Sequence, residues 1–207
     1  MIDAYVWSTP NGYKAIIALE ELGLQYTPHW VNIGKGEQHQ PEFLAVNPNG
    51  KIPAIVDRDA ANGPITVFES GAILIYLADK AQALLPAEGA ARYQVFEWVF
   101  FNAGGTGPMI GQLGYFAKSA KEKIPHAIDR FTKEVERLLG VLDVRLGEAR
   151  YLAGEFSIAD LMNVTWARAA GSRIGMDLSV YPNLTRWLDE VEARPAVKRG
   201  LAMKPPS

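Results

Sequence analysis

No cysteine occurs in this chain. That absence removes disulfides, thiolate metal sites and any cysteine nucleophile belonging to the protein itself. Histidine is scarce: His29, His39 and His126 stand far apart and form no ligand pattern, so no metal site is expected. Neither sign of charge dominates. Lys and Arg total 21 against 23 Asp and Glu, a formal net charge of −2, so no overall positive field argues for nucleic acid or an acidic membrane as a partner. A membrane span is not expected either. In the most apolar stretch, Ala90–Phe116, Arg92 and Glu97 interrupt the start, and Gly104, Gly105, Gly107 and Pro108 break the middle. A basic leader is also lacking, with Asp3 where one would begin, and the expected location is the cytoplasm.

What is present is an ordinary globular composition, 48% hydrophobic over 207 residues, with room for one large domain or two small ones. Ile2–Trp7 reads as a strand, Ser8–Gly12 as a turn, Tyr13–Leu22 as a helix ended by Gly23, and Tyr26–Ile33 as a second strand. A βαβ unit implies a parallel pair with a right-handed crossover. Gly34–Gln40 is a polar loop, and Pro41–Val46 suits a short helix with proline at its first position. Ala54–Val56 and Ile65–Val67 read as short strands and Ala72–Lys80 as a helix. This βαβ–ββα order is the thioredoxin-like pattern, placed at residues 1–80.

Ala81–Glu88, with Pro86, reads as a linker, and residues 89–207 as an all-helical domain. Ile128, Phe131, Val135, Leu138, Leu142 and Leu146 recur at spacings of three and four along a helix over Ile124–Leu146, the stripe of a core-facing helix rather than a cofactor box. Ser157 and Asp160 have the spacing of a capping box with Asp in place of Glu. No histidine is placed to make them catalytic. A further helix is expected from Pro182 to Arg194, stopped by Pro195, with a flexible end at Lys204–Ser207.

The stretch Asn47–Gly71 concentrates unusual chemistry. Pro48-Asn49-Gly50 makes a turn. Pro53 stands at a strand entrance, where it withholds no ladder donor and suits a cis bond, leaving Ile52 extended and able to pair with a peptide-like ligand. Glu69 and Ser70 open a helix whose first N–H groups favour an anion. Extended backbone, Lys51, a carboxylate, a hydroxyl and a helix start together suit a zwitterionic peptide. Thr9 and Asn11 open the first helix. As residues alone they suit an ordinary turn and cap. They equally suit a place where a hydroxyl, an amide and helix N–H groups stabilise a thiolate. Gln38 and Lys51 read alone as solvated side chains, and Arg130 as the partner of Glu134 one helical turn on.

Asn47-Pro48-Asn49-Gly50-Lys51-Ile52-Pro53 and Phe68-Glu69-Ser70-Gly71-Ala72-Ile73 resemble the glutathione-binding half of the glutathione transferase family. Ser8-Thr9-Pro10-Asn11-Gly12-Tyr13-Lys14 and Gly34-Lys35-Gly36-Glu37-Gln38 narrow the likeness to the Nu class, the bacterial disulfide-reductase branch related to a fungal nitrogen regulator. The order and spacing of these pieces, over nearly the whole chain, carry the resemblance. It implies that Thr9 and Asn11 hold the glutathione thiolate. Gln38 and Lys51 would meet its glycyl end, Ile52 its backbone, Glu69 its γ-glutamyl ammonium and Ser70 its carboxylate. Arg130 would contact a second glutathione. A Glu69 buried without a cation would favour this ligand further.

The expected activity is reduction of small disulfides by two bound glutathione molecules, with transferase or peroxidase side activity and no metal. Two alternatives stand beside it: conjugation of electrophiles, and a regulatory or stress protein that binds glutathione with little catalysis. The aromatic Ala90–Phe116 segment and the family habit of a two-fold interface lead to the expectation of a homodimer.

Overall fold

The structure, a computed structural model, describes residues 1–206. The chain forms two compact units, Met1–Ala87 joined by the stretch from Arg194 onward, and Glu88–Ala193.

In the first unit, β1 (Ile2–Val6) leads through Trp7 and Ser8 into α1 (Pro10–Glu21). The helix begins earlier than the Tyr13 expected, because Thr9 is its N-cap in an extended conformation (φ −130°, ψ 161°) and Pro10 takes the first position. Only glycine fits at Gly12: a Cβ there would lie 2.0 Å from the Trp7 carbonyl oxygen. β2 (Tyr26–Trp30) runs parallel to β1, while β3 (Ala54–Asp57) pairs antiparallel with β1 and β4 (Ile65–Phe68) antiparallel with β3. The order β2-β1-β3-β4 leaves β2 at an edge, where Pro28 is tolerated.

Between β2 and β3 the expected polar loop is wound into two 3₁₀ turns, Ile33–Lys35 and Glu37–His39, followed by α2 (Pro41–Leu44). β4 is followed by α3 (Ser70–Ala81). Ile16, Ile17 and Leu19 of α1, Ile55 of β3 and Ile73, Leu74 and Leu77 of α3 are fully buried. Asp57 anchors α3 to the sheet: it is wholly buried, accepts from Tyr76 Oη at 2.6 Å and pairs with Lys80 Nζ at 2.7 Å. Burial pushes the Asp57 carboxyl up, but the bonds from Lys80 and Tyr76 outweigh it and hold the group below its ordinary value.

The sequence signalled no helix beyond Pro195. The structure has one, α9 (Pro195–Ala202), and Pro195 both stops the preceding helix and starts this one. α9 lies on α1, where Gly200 approaches so closely that a Cβ would be 2.7 Å from Ile17 Cγ1. Arg194 grips Glu21 with Nε and Nη2 at 2.7 and 2.8 Å, and Arg199 meets Glu20 at 2.7 Å. After α9 residues 203–206 have no regular structure, and the rest of the expected flexible end, Ser207, lies outside the described residues.

The second unit is helical: α4 (Gly89–Phe101), α5 (Gly107–Gly114), α6 (Pro125–Glu148), α7 (Ile158–Ala169) and α8 (Pro182–Ala193). Among the described residues the β pairing after residue 90 is confined to two isolated bridges, Tyr151↔Gly154 and Ala153↔Glu155. Gly104, Gly105 and Gly107 do not break the chain. They lie where α4 runs into α5 through a π turn at Asn102–Thr106. Cβ atoms at Gly105 and Gly107 would meet Leu138 and the Asn102 carbonyl at 3.2 and 3.0 Å, so these glycines permit close packing. Val135, Leu138, Leu142 and Leu146 of the α6 stripe are buried, and Ile128 and Phe131 half-buried. The capping box at α7 is formed on both sides. No helix among the described residues is long and apolar enough to cross a membrane.

Candidate functional site

Thr9 and Asn11 stand half-buried where β1 gives way to α1. The Gly12 N–H donates to Thr9 Oγ1 at 3.1 Å. A hydroxyl that accepts still has its own hydrogen to give, so a capping Thr9 keeps a donor for an anion. The surrounding helix start favours a negative charge at the same point.

Gln38 lies in the second 3₁₀ turn. Its Nε2 is 3.2 Å from His39 Nε2, and its Oε1 is buried with no protein partner. The loop is held by its own side chains. Asn32 Oδ1 accepts from Gly34 and Lys35, and Glu37 Oε2 accepts from the Asn32 N–H at 2.6 Å. Gly50 (φ +64°) brings the next loop against this one: a Cβ there would be 3.4 Å from the Gln38 carbonyl oxygen.

Asn47, buried, staples the segment that carries Lys51. Its Oδ1 accepts from the Asn49 N–H at 3.0 Å and its Nδ2 donates to the Lys51 carbonyl at 2.6 Å. The Lys51 side chain is exposed. The Ile52–Pro53 bond is cis. The Ile52 side chain packs against the Val31, Phe43 and Ala54 cluster, and its backbone stands before the ladder, which pairs with β1 from Ala54 onward.

Glu69 is the N-cap of α3 with φ +71° and ψ 120°, and its carboxylate makes no capping bond. A non-glycine residue in that region costs on the order of 1–3 kcal/mol and persists only where the surroundings impose it, as functional sites often do. Glu69 is exposed rather than buried, so the condition of a buried carboxylate lacking a cation is not met. Ser70, the first residue of α3, is 8% exposed.

Beneath this corner lies Lys14, only 1% exposed, its Nζ donating to Ser70 Oγ across a long 3.5 Å. Burial pushes its ammonium down to about 7, with the Glu69 charge pulling the other way. The sequence reading quoted Lys14 in a motif and gave it no role, and it passed over Asn47 as well. A signal for Lys14 was present: it is followed by five apolar residues, Ala15–Leu19, on a helix buried nearly all round.

Arg130 belongs to the second unit, exposed on the early part of α6. The pairing expected with Glu134 does not form. Glu134 accepts instead from Arg137, Nε at 2.9 Å and Nη2 at 2.7 Å, because the planar fork one turn on meets both carboxylate oxygens. Tyr5, the aromatic rival for thiol activation, is stacked on His29 with centroids 4.8 Å apart.

Comparison with known proteins agrees with this architecture. Residues 9–80 match the glutathione S-transferase N-terminal domain, and residues 107–195 its C-terminal domain. The chain is 45% identical to disulfide-bond oxidoreductase YfcG of Escherichia coli (strain K12), over 97% of this chain and 94% of that protein. Among solved structures, a glutathione transferase family member from Pseudomonas fluorescens with two glutathione bound is 46% identical. It superposes with a TM-score of 0.92 over 97% of this chain and 92% of its own. A glutathione transferase from Pseudomonas putida, with one glutathione disulfide bound per subunit, is 40% identical with a TM-score of 0.93, covering 99% and 92%. The chain belongs to the glutathione S-transferase family.

Proposed function

We propose that this protein reduces small disulfides with two bound glutathione molecules. The observation that carries the reading is the Thr9-Pro10-Asn11 turn in a chain without cysteine. Disulfide exchange needs one thiolate to attack and a second thiol to resolve the mixed disulfide. Here both come from glutathione. The first thiolate, held by Thr9 and Asn11, attacks one sulfur of the disulfide, and the S–S bond breaks to release one thiolate. The second glutathione attacks the glutathione sulfur of the mixed disulfide and releases the other. Two electrons pass from two thiols to the substrate, glutathione disulfide is the product, and the two thiol protons end on the released thiols. The protein positions and lowers the thiol pKa without covalent catalysis.

Relatives named disulfide-bond oxidoreductases, and neighbours holding two glutathiones or the disulfide, support this assignment. In the reading, Gln38, Lys51, Ile52, Glu69 and Ser70 hold the first glutathione, and Arg130, which Glu134 leaves unclaimed, steers the second. The Gln38 Oε1 acceptor without a protein partner and the imposed Glu69 backbone favour the first part.

The Nu class remains the branch whose motifs these are. A homodimer is supported by Tyr93 and Phe100, exposed by 67% and 64% on α4. The cytoplasm is the proposed location, since glutathione-driven reduction suits a reducing compartment.

The decisive comparison is turnover of a small disulfide and of an aryl halide, each with glutathione. Disulfide turnover that rises more steeply than first order at low glutathione is expected. Activity first order in glutathione with the halide alone would establish the conjugating transferase instead, and turnover of neither a binding protein. Thr9→Ala is expected to lower the rate by about 10- to 100-fold, the worth of one hydrogen bond to a charged group, and by more than it weakens glutathione binding.

A further inference from the structure

We propose that Lys14 is a positioning residue for the γ-glutamyl carboxylate of glutathione, acting through Ser70 and gaining a proton as the ligand binds. The inference rests on the reading of Glu69–Ser70 as the γ-glutamyl site.

The geometry is specific. Lys14 Nζ sits 3.5 Å from Ser70 Oγ, and the lysine is 1% exposed while the serine is 8% exposed. An ammonium can only donate. When Lys14 is charged it occupies a lone pair of Ser70 Oγ and commits the hydroxyl hydrogen elsewhere, and the direction left for a ligand carboxylate is the head of α3. A neutral Lys14 can accept from Ser70 instead and turn that hydrogen inward. The protonation of Lys14 therefore selects whether Ser70 faces the ligand as a donor.

The charges around Lys14 leave this lysine poised. Of the groups on the elements packed against α1, Glu69 at the head of α3 is the one whose charge bears on it. Lys80 and Tyr76 of α3 are bound to Asp57, Arg194 and Arg199 of the α9 segment to Glu21 and Glu20, and Asp3 of β1 to Arg58 and His29. Burial brings the free ammonium down to about 7, so near neutrality it is held by only a fraction of molecules. When the ammonium of the ligand covers Glu69, one support of the Lys14 charge is weakened. The ligand carboxylate, placed on Ser70, more than replaces it because it lies next to the hydroxyl that Lys14 touches. The bound state is then the protonated one, and binding takes up a proton above neutrality.

The test uses the full chain and S-methylglutathione, a probe with no thiol proton to lose. Calorimetric titration in two buffers of different ionisation enthalpy reads the proton balance directly. The expected result is uptake approaching one proton per site near pH 8 and little near pH 6, with an affinity that falls by about tenfold between them. In Lys14→Met both the uptake and the pH dependence disappear. A second readout needs no variant: in protein labelled with ¹³C at lysine Cε, one resonance titrates near neutrality and moves to higher pH when S-methylglutathione is added. Binding with no proton uptake, uptake retained in Lys14→Met, or the absence of any lysine that titrates near neutrality overturns the inference and leaves the glutathione site standing. Failure of the wild-type chain to bind S-methylglutathione removes the site itself, and the inference with it.

Discussion

Two helices of this protein start with a serine and a carboxylate, and they use them in opposite ways. At the head of α7, Ser157 is an extended N-cap (φ −152°) whose hydroxyl accepts from the Ala159 N–H, and Asp160 reaches back to the Ser157 N–H at 3.0 Å. Asp160 also accepts from the Leu152 N–H at 3.1 Å and Trp187 Nε1 at 2.8 Å, and both residues are buried. Burial pushes its carboxyl up to about 6, partly offset by these donors. At the head of α3 the order is reversed. Glu69 takes the cap position with φ +71°, bonds no helix N–H and turns its carboxylate to solvent, while Ser70 sits just inside with Lys14 beneath it. The α7 cap is closed, each group answered by another from the same unit. The α3 cap is left open, so that helix N–H groups, a hydroxyl and a carboxylate remain for a ligand. A closed cap contributes stability, whereas an open one gives some of it up for recognition.

That contrast breaks most visibly at Asp160. Asp160→Ala leaves the Trp187 indole and two backbone N–H groups buried without an acceptor, and is expected to destabilise the protein by about 3–5 kcal/mol, with Asp160→Asn recovering part of the loss. Urea denaturation measures it, and a change below about 1 kcal/mol would show the closed cap to be dispensable.

Lys14 gives the converse. Removing a buried charge whose ammonium is disfavoured, as in Lys14→Met, is expected to stabilise the protein near pH 6 by about 1–4 kcal/mol. The sign follows from linkage. Between about 7 and 10.5 the unfolded chain keeps a proton on Lys14 that the folded chain has lost, so the wild type gains stability as pH rises through that window. The advantage of the variant should shrink accordingly, and thermal melts at several pH values follow it. A constant difference would mean that Lys14 does not titrate.

The smallest effect sharpens the comparison at Glu69. Glu69→Gly relieves the positive φ and is expected to raise stability by about 1 kcal/mol. The same change should weaken glutathione binding tenfold or more, at about 1.4 kcal/mol per decade. Glu69→Ala should weaken binding equally without the stability gain. An unchanged dissociation constant in both would place the ligand elsewhere.

The sequence determined what depends on near neighbours and on what is missing. Thr9 before Pro10 sets a helix start, the Ser157–Asp160 spacing sets a cap, and the spacing of Val135, Leu138, Leu142 and Leu146 sets a buried face, each within a few residues. The lack of cysteine dictates that any thiol must come from outside the chain. Tertiary structure alone decided the rest. Glu69 adopts positive φ because α3 is anchored through Asp57 while β4 fixes the chain before it, a conflict that no local pattern contains. Lys14 is buried only because α3 covers it with Ser70, 56 residues away. α9 returns to α1 through Gly200 and the Arg194–Glu21 pair, 173 residues apart. Glu134 could be read as a partner for either neighbouring arginine, and the folded helix gave it to Arg137. Helix starts and stripes are short-range free-energy differences that a sequence displays directly. Burial of a charge and choice among partners depend on which distant segments meet, and that is settled only when the chain packs.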